Sequence, residues 1–241
     1  MTTPQGILFD KDGTLFDFHA TWAAWAQGLL TELAAGDAAR ATALGEAVGF
    51  DLAPEGGQGC FRPESPVIAG TPDQIAAILL RQLPDWQAGP LLTLMNDRAA
   101  RAPQAEAVPL RPLLTLLRGL GLRLGVMTND AEVPARAHLA TAGVSDLFDM
   151  VIGCDSGHGA KPDPAPLLAF AQAMGLDPAS VVMVGDSRHD LHAGRAAGMA
   201  TVGVLTGLAK TPDLAPLADA VLSDIGQLPE WLAGRGLPQA G

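Results

Sequence analysis

Four short clusters of polar residues in this 241-residue chain have side chains suited to group transfer. In chain order, the clusters are Asp10 with Asp12, Thr128 with Asn129, the isolated Lys161, and Asp186 with Asp190. Several carboxylates brought close together need a cation among them, and their hard oxygen atoms favour Mg²⁺. A lysine and a threonine are suited to holding phosphoryl oxygens while charge moves. This combination of residue types predicts phosphoryl transfer.

The two carboxylates of the first cluster are expected to have different roles. Asp10 is the candidate nucleophile, because a carboxylate that attacks phosphorus forms an aspartyl-phosphate and divides hydrolysis into two easier steps. Asp12 is then placed to protonate the leaving alcohol and later to deprotonate the attacking water, which contributes roughly 10²- to 10⁴-fold to the rate. We therefore predict Asp10, Asp12, Thr128 and Lys161 as the catalytic residues.

The polar clusters lie after or between apolar runs that predict buried strands. These runs cover 6–9, 123–127, 150–153, 181–184 and 200–205, with Val221 and Leu222 as a last short strand. Helical segments of about ten residues separate the later strands, which predicts a parallel, doubly wound sheet with right-handed crossovers. Ligands of such sheets bind beyond the carboxyl ends of the strands. The clusters are therefore predicted to meet at one edge of a Rossmann-like α/β core.

About ninety residues with helical patterns separate the first strand from the others. The predicted helices cover 18–35, 37–48, 73–83 and 90–101, and a loop rich in Gly and Pro covers 53–71. Trp22 and Trp25 share a face of the first helix, and their spacing favours core packing over an aromatic ligand platform. We therefore predict an inserted all-α cap domain at 17–106, with the α/β core formed by 1–16 and 107–241.

The loop rich in Gly and Pro carries Arg62, a candidate for binding a substrate carboxylate or second phosphate through two hydrogen bonds. A solvated loop arginine is an equally good interpretation of this residue. Five arginines in the predicted insert offer contacts to anions: Arg40, Arg62, Arg81, Arg98 and Arg101. The sequence does not rank these contacts, so it leaves the substrate open.

Composition argues against two kinds of partner. The formal charge is −11 and the chain has three lysines, so a nucleic-acid-binding surface is not expected. The leucine-rich stretch 110–127 is interrupted by three arginines, and no basic region precedes an apolar segment at the start, so no membrane association is expected. Cys60 and Cys154 are far apart in sequence, which favours a reducing compartment. A cytoplasmic protein, monomeric or homodimeric, is the resulting expectation.

The clusters and their neighbours resemble the four motifs of the haloacid dehalogenase-like hydrolase superfamily. These motifs are Asp-Lys-Asp-Gly-Thr-Leu at 10–15, Thr-Asn at 128–129, Lys-Pro at 161–162 and Gly-Asp-Ser-x-x-Asp at 185–190. The predicted insert resembles the α-helical cap of that superfamily, and phosphoglycolate phosphatase-type members most of all. The resemblance implies a Mg²⁺-dependent phosphatase that acts on a small phosphorylated metabolite, either phosphoglycolate-like or a sugar phosphate.

The resemblance also implies individual roles. Asp10 would be nucleophile and metal ligand, Asp12 would contribute its backbone carbonyl to Mg²⁺, Asp186 would be a metal ligand, and Asp190 would support the metal shell. The implied substrate-binding residues, together with Arg62, are Gly13, Thr128, Asn129 and Lys161. Gly13 has a second interpretation, as a backbone position that lets the loop pass close to the phosphate.

Departures from the family pattern separate its subfamilies. Dehalogenases of this fold do not use the second carboxylate of the first motif, whereas Asp12 is present here. Phosphonate hydrolases use a cap lysine, and the predicted insert has none. Phe18 stands where phosphoglycolate phosphatases often carry a serine. A β-phosphoglucomutase-like mutase shares the four motifs and the cap type, so it remains the main alternative, followed by a non-catalytic binding protein of the same fold.

Overall fold

The computed structural model describes residues 2–54 and 57–238, and its centre is a six-stranded parallel sheet. The strands in chain order are β1 (Gly6–Phe9), β2 (Phe50–Asp51), β3 (Cys60–Phe61), β4 (Arg123–Met127), β5 (Met150–Ile152), β6 (Val181–Gly185), β7 (Ala200–Val204) and β8 (Ala220–Leu222). Six of these strands form the central sheet, in the order β5-β4-β1-β6-β7-β8, and every neighbouring pair is parallel. This confirms the predicted α/β fold class.

Helices cover both faces of the sheet, as a doubly wound arrangement requires. The helices in chain order are α1 (Phe18–Ala34), α2 (Ala38–Val48), α3 (Pro72–Leu79), α4 (Ala88–Ala99), α5 (Leu110–Gly119), α6 (Glu132–Thr141), α7 (Ala165–Met174), α8 (Arg188–Ala196), α9 (Thr211–Leu214) and α10 (Leu228–Ala233). Ile7 and Phe9 point to one hydrophobic core with α5 and α6, whereas Leu8 points to the other with α7. The alternation along β1 therefore buries both of its faces.

The segment 17–106, called the insert below, packs around a hydrophobic cluster of its own. Side chains from α1 to α4 form this cluster, and Leu29, Leu44 and Leu79 are fully buried in it. The insert also contains the antiparallel pair β2 and β3. The expectation of an all-α insert was therefore wrong in this detail: Phe50 and Phe61 pair across the ladder and pack ring against ring in the cluster.

The chain crosses between the sheet region and the insert twice, and the two crossings lie side by side. Phe16 forms a bridge with Glu106, and the Asp17 N–H donates to the Ala105 carbonyl at 2.8 Å. The Ala107 N–H donates to the Leu15 carbonyl at 2.9 Å. Two adjacent crossings give the insert a narrow attachment to the sheet region.

The position of β1 determines where a site can form. From β1 the chain continues to β4 and β5 on one side, and β6 to β8 lie on the other side. The order reverses beside β1, and such a switch point opens a crevice at the carboxyl ends of the strands.

Within the described residues, no helix is long and apolar enough to cross a lipid bilayer.

Candidate active site

Asp10 begins the loop after β1, at the switch point of the sheet, and its carboxylate contacts Lys161. The Lys161 Nζ lies 2.5 Å from Asp10 Oδ1 and 2.7 Å from Asp190 Oδ1. It also donates to the Met127 carbonyl at 2.7 Å. All three charged side chains are buried. The predicted nucleophile and the predicted phosphate-binding lysine are therefore in direct contact.

Three carboxylates share this buried space with one ammonium group, and their ionisation reflects the excess of negative charge. Burial raises the pKa of Asp10 to about 7, with the charges of Asp190 and Asp12 adding to the effect and Lys161 opposing it. Burial also raises the pKa of Asp186, and the charges of Asp10 and Asp190 act in the same direction. Burial would lower the pKa of Lys161, but Asp10 and Asp190 outweigh it and the pKa is raised. The site is thus short of positive charge.

The carboxylates of Asp10, Asp186 and Asp190 fit a divalent cation. One oxygen atom of each lies within 4.8 Å of the others, and all three side chains are buried. Oxygen donors of this kind suit Mg²⁺, which would also supply the missing positive charge. The Asp12 carboxylate is not part of this group, because it is paired elsewhere.

Asp12 belongs to a second buried network that sequence reasoning did not predict. The Lys11 Nζ lies 2.9 Å from Asp12 Oδ2, 3.0 Å from Asp130 Oδ2 and 2.9 Å from His138 Nδ1. On its other side, the His138 ring contacts the Ala99 carbonyl at the end of α4 through Nε2, at 2.7 Å. The network therefore links the candidate acid/base to the insert.

The sequence signals for this network were a lysine between two motif aspartates and an aspartate directly after Thr-Asn. His138 gave no signal, because it is one residue within an ordinary amphipathic helix.

Thr128 and Asn129 follow β4 and have different environments. Thr128 is buried in the pocket wall, where its Oγ1 accepts from the Asp130 N–H at 3.1 Å. The Asn129 Oδ1 accepts a hydrogen bond from the Lys161 N–H at 2.9 Å. The Asn129 Nδ2 donates to the carbonyls of Lys161 and Ala69, both at 2.9 Å. Asn129 therefore fixes the Lys161 backbone and contacts the insert, in addition to lining the pocket.

Asp186 packs against backbone that has no room for a side chain. Gly13 has φ +82°, and a Cβ atom there would lie 2.5 Å from an Asp186 carboxylate oxygen. A Cβ atom on Gly207 would overlap the same carboxylate. Thr206, beside it, donates to the Gly13 carbonyl at 2.6 Å. Gly13 thus has the backbone role considered for it, while Thr206 and Gly207 are site neighbours that the sequence did not indicate.

The structure does not bring Arg62 to the other candidate residues. Its guanidinium group is bound to Asp51 at 2.6 Å across the β2–β3 pair, where the Arg62 side chain is 40% exposed. Arg62 does not line the pocket at the switch point. The expectation that Arg62 contacts the substrate therefore has no support in this conformation, because its guanidinium group is already paired with the Asp51 carboxylate.

The insert forms the opposite wall of this pocket, which encloses about 700 Å³ with its open mouth included. Trp22 and Trp25 belong to the core of the insert, as their spacing favoured, and they line the pocket as well. The Trp25 indole N–H donates to the Met95 carbonyl at 3.1 Å. The interpretation as core residues is therefore confirmed, and an additional role of the pair in binding a ligand stays a prediction.

An open parallel sheet with carboxylates and a lysine at its switch point, covered by a helical insert, fits an α/β enzyme of the phosphoryl-transfer type. The family model for haloacid dehalogenase-like hydrolases matches residues 4–198. The chain belongs to this family, and it is an enzyme of the phosphoric monoester hydrolase class.

Individual proteins resemble this chain in sequence or in fold. The chain is 34% identical to a phosphoglycolate phosphatase of Rhodospirillum rubrum, over 99% of this chain and 93% of that protein. A crystal structure described as a predicted phosphoglycolate phosphatase from Haemophilus somnus has a TM-score of 0.71 at 20% identity, covering 96% and 99% of the two chains. A putative β-phosphoglucomutase from Thermotoga maritima has a TM-score of 0.66 at 19% identity, over 95% and 99%. The last two likenesses establish the fold alone.

Proposed function

We propose that this hydrolase is a Mg²⁺-dependent phosphatase that hydrolyses a small phosphomonoester through an aspartyl-phosphate at Asp10. The observation that carries the proposal is the buried contact of Asp10 with Lys161, beside the carboxylates of Asp186 and Asp190. A carboxylate nucleophile, an ammonium group for the phosphoryl oxygens and a cation site are the groups that this reaction requires. The relatives named phosphoglycolate phosphatase support the same activity.

The residues divide the reaction between them as follows. Asp10 attacks phosphorus, while the Lys161 ammonium turns from Asp10 and Asp190 to the phosphoryl oxygens. Asp12, held by Lys11, gives a proton to the alcohol as its bond to phosphorus breaks. It then takes a proton from the water that attacks the aspartyl-phosphate, which releases inorganic phosphate and restores the Asp10 carboxylate. Mg²⁺, bound by Asp10, Asp186 and Asp190, would supply positive charge that holds the phosphoryl group in place.

We also propose that the insert acts as a cap domain, with the division at 16/17 and 106/107. Its own hydrophobic cluster and its two adjacent crossings support this division. Closure would exclude bulk water from the aspartyl-phosphate, and opening would release the product.

Phosphate release from a panel of small phosphomonoesters with Mg²⁺ tests the activity, and Asp10→Asn is its sharpest variant. We expect Asp10→Asn to lower kcat by about 10⁴-fold or more, because the nucleophile is lost while the shape is kept. Circular dichroism and the thermal midpoint serve as controls for folding. Substantial phosphate release by the folded variant would contradict the assignment of Asp10, and release that depends on an added bisphosphorylated sugar would favour a mutase.

Binding of Mg²⁺ has a readout that does not require turnover. Mg²⁺ should raise the thermal midpoint of the wild-type protein, because the cation offsets repulsion among buried carboxylates. Asp186→Asn should remove most of this rise, while Asp213→Asn, an exposed change remote from the pocket, should retain it. An equal rise in both variants would place the cation elsewhere.

A further inference from the structure

We propose that the substrate's leaving group is an apolar alcohol that carries an aromatic ring, and not a carboxylate-bearing one such as glycolate. The inference rests on the proposed phosphatase function and concerns the part of the pocket that faces the insert.

The wall that the insert contributes to the pocket is apolar and partly aromatic. Its large side chains include Phe18, Trp22, Trp25, Val67, Ile75 and Met95. Apart from the two indole N–H groups, Asn96 is the insert side chain that brings a polar group to this wall. A surface of this kind stabilises an apolar group by removing it from water, and its rings favour an aromatic partner.

None of the five arginines of the insert lines the pocket. Arg62 is paired with Asp51 and Arg98 with Glu32, both on the exposed side of the insert. Among the described residues, the basic side chains that line the pocket are Lys161 and His189, and both come from the sheet region. The Lys161 ammonium is already held at the phosphoryl end by Asp10, Asp190 and a backbone carbonyl. The insert therefore offers no cation to a second anionic group.

Backbone N–H groups are the other common binders of anions. In the insert loop beside the pocket, these groups already donate hydrogen bonds to other acceptors. Each N–H group of residues 67–71 donates within the insert. The acceptors are Ser65 for residues 67 and 68, Pro66 for residues 69 and 70, and the Gln74 side chain for residue 71. The next residue, Pro72, has no N–H group. This loop therefore lacks the free donors with which a backbone nest holds a carboxylate.

Electrostatics act against a second anion as well. Five carboxylates line the pocket: Asp10, Asp12, Asp130, Asp186 and Asp190. A substrate carboxylate placed between them and the apolar wall would lose its hydration without gaining a charged partner from the insert, and burial of an unpaired charge is strongly unfavourable. An apolar ring in the same place would contact side chains that match it.

A comparison of two substrates tests the inference. We would measure kcat/KM of the full chain with Mg²⁺ for 2-phenylethyl phosphate and for 2-phosphoglycolate, which are both esters of primary alcohols. We expect the phenylethyl ester to be favoured by about ten- to a hundredfold, because the ring is removed from water and no charge is left unpaired. Equal rates, or a preference for 2-phosphoglycolate, would overturn the inference.

The assay includes p-nitrophenyl phosphate so that two kinds of failure differ. Hydrolysis of this reactive ester together with a preference for 2-phosphoglycolate would refute the substrate class alone. If none of the three esters releases phosphate, the proposed phosphatase function fails, and the substrate class fails with it.

Matched arginine variants on α4 test the wall directly. Asn96 is half-buried and lines the pocket, whereas Thr93 on the same helix is exposed and does not. Asn96→Arg should move the kcat/KM ratio toward 2-phosphoglycolate by about tenfold or more, because it supplies the absent cation. Thr93→Arg adds the same charge and should leave the ratio unchanged. An unchanged ratio in folded Asn96→Arg, or an equal change in both variants, would overturn the assignment of this wall.

Discussion

Lys11 has a fully buried side chain with several partners around its ammonium group. Asp12, Asp130 and the His138 ring accept from it at about 3 Å. Burial alone would lower the pKa of Lys11, but the charges of Asp12 and Asp130 outweigh this effect and the pKa is raised. The ammonium therefore stays charged and fixes the position of Asp12.

Replacement of Lys11 by methionine should be costly for stability, because it leaves the buried Asp130 and the half-buried Asp12 without their charged partner. We expect Lys11→Met to lower the free energy of unfolding by about 3–5 kcal/mol in urea titrations. Lys210→Met, at an exposed position, should change it by less than about 0.5 kcal/mol. Similar losses of unfolding free energy in Lys11→Met and Lys210→Met would contradict a stabilising role of the buried network.

His138 makes this network sensitive to pH. Burial and the charge of Lys11 lower the pKa of His138 to about 4 from the usual 6.5. Between these values the unfolded chain binds a proton that the folded chain does not, so His138 destabilises the fold progressively as the pH falls.

His138→Gln isolates this contribution. On going from about pH 7 to about pH 4, the wild type should lose up to about 3 kcal/mol more unfolding free energy than His138→Gln, by chemical denaturation. The comparison removes the opposite contribution of carboxyl groups such as Asp10, whose raised pKa favours the fold at low pH. Parallel stability curves for the two proteins would contradict a buried, neutral His138.

At the scale of elements, the ends of the parallel strands determine the site. The loops after β1, β4 and β6 bring Asp10, Asp12, Thr128 and Asp186 to one crevice. Asn129, in the loop after β4, connects the loop after β5 to the insert, since it binds the backbone of Lys161 and the Ala69 carbonyl.

Asn129→Ala should therefore affect catalysis more than folding. Without the Asn129 amide, the loop that carries Lys161 loses two hydrogen bonds, and we expect kcat to fall by about 10- to 100-fold. Asn129→Asp keeps an acceptor for the Lys161 N–H and should have a smaller effect. Steady-state kinetics beside thermal midpoints measure this, and a wild-type kcat in folded Asn129→Ala would contradict the positioning role.

Sequence patterns were sufficient to predict the strands of the sheet, because apolar runs followed by polar clusters are local signals. The predicted runs at 123–127 and 181–184 agree closely with β4 and β6. The short helices α9 and α10 were missed, since four and six residues are too few for a periodic pattern. The β2–β3 pair was missed because each strand has two residues, and its register depends on the packing of Phe50 against Phe61.

Other parts of the site could not be predicted from local sequence patterns, because they depend on contacts between distant elements. The pairing of Arg62 with Asp51 follows from the β2–β3 pair, which the sequence did not predict. Helical spacing favoured core packing for Trp22 and Trp25, but their position in the pocket wall depends on how the insert lies over the sheet. Contacts between distant elements, such as His138 with Ala99, have no sequence signature in a single chain.

At the scale of the whole molecule, the two adjacent crossings at Phe16–Asp17 and Ala105–Ala107 suit a hinge. We expect the insert to change its orientation relative to the sheet when orthovanadate and Mg²⁺ occupy the site, because closure excludes water from the phosphoryl group. Crystal structures or solution scattering with and without orthovanadate would measure this. The same orientation in both states would contradict a moving cap.

The central claim is that Asp10 becomes phosphorylated during turnover, and one trapping experiment tests it most directly. Asp12→Asn lacks the base that activates water, so p-nitrophenyl phosphate, whose leaving group needs no acid, should release p-nitrophenol and leave the phosphoryl group on the enzyme. After an acid quench and proteolysis, mass spectrometry should locate this group on Asp10 and find none in Asp10→Asn. Release of p-nitrophenol without an adduct, or an adduct on another residue, would contradict the account.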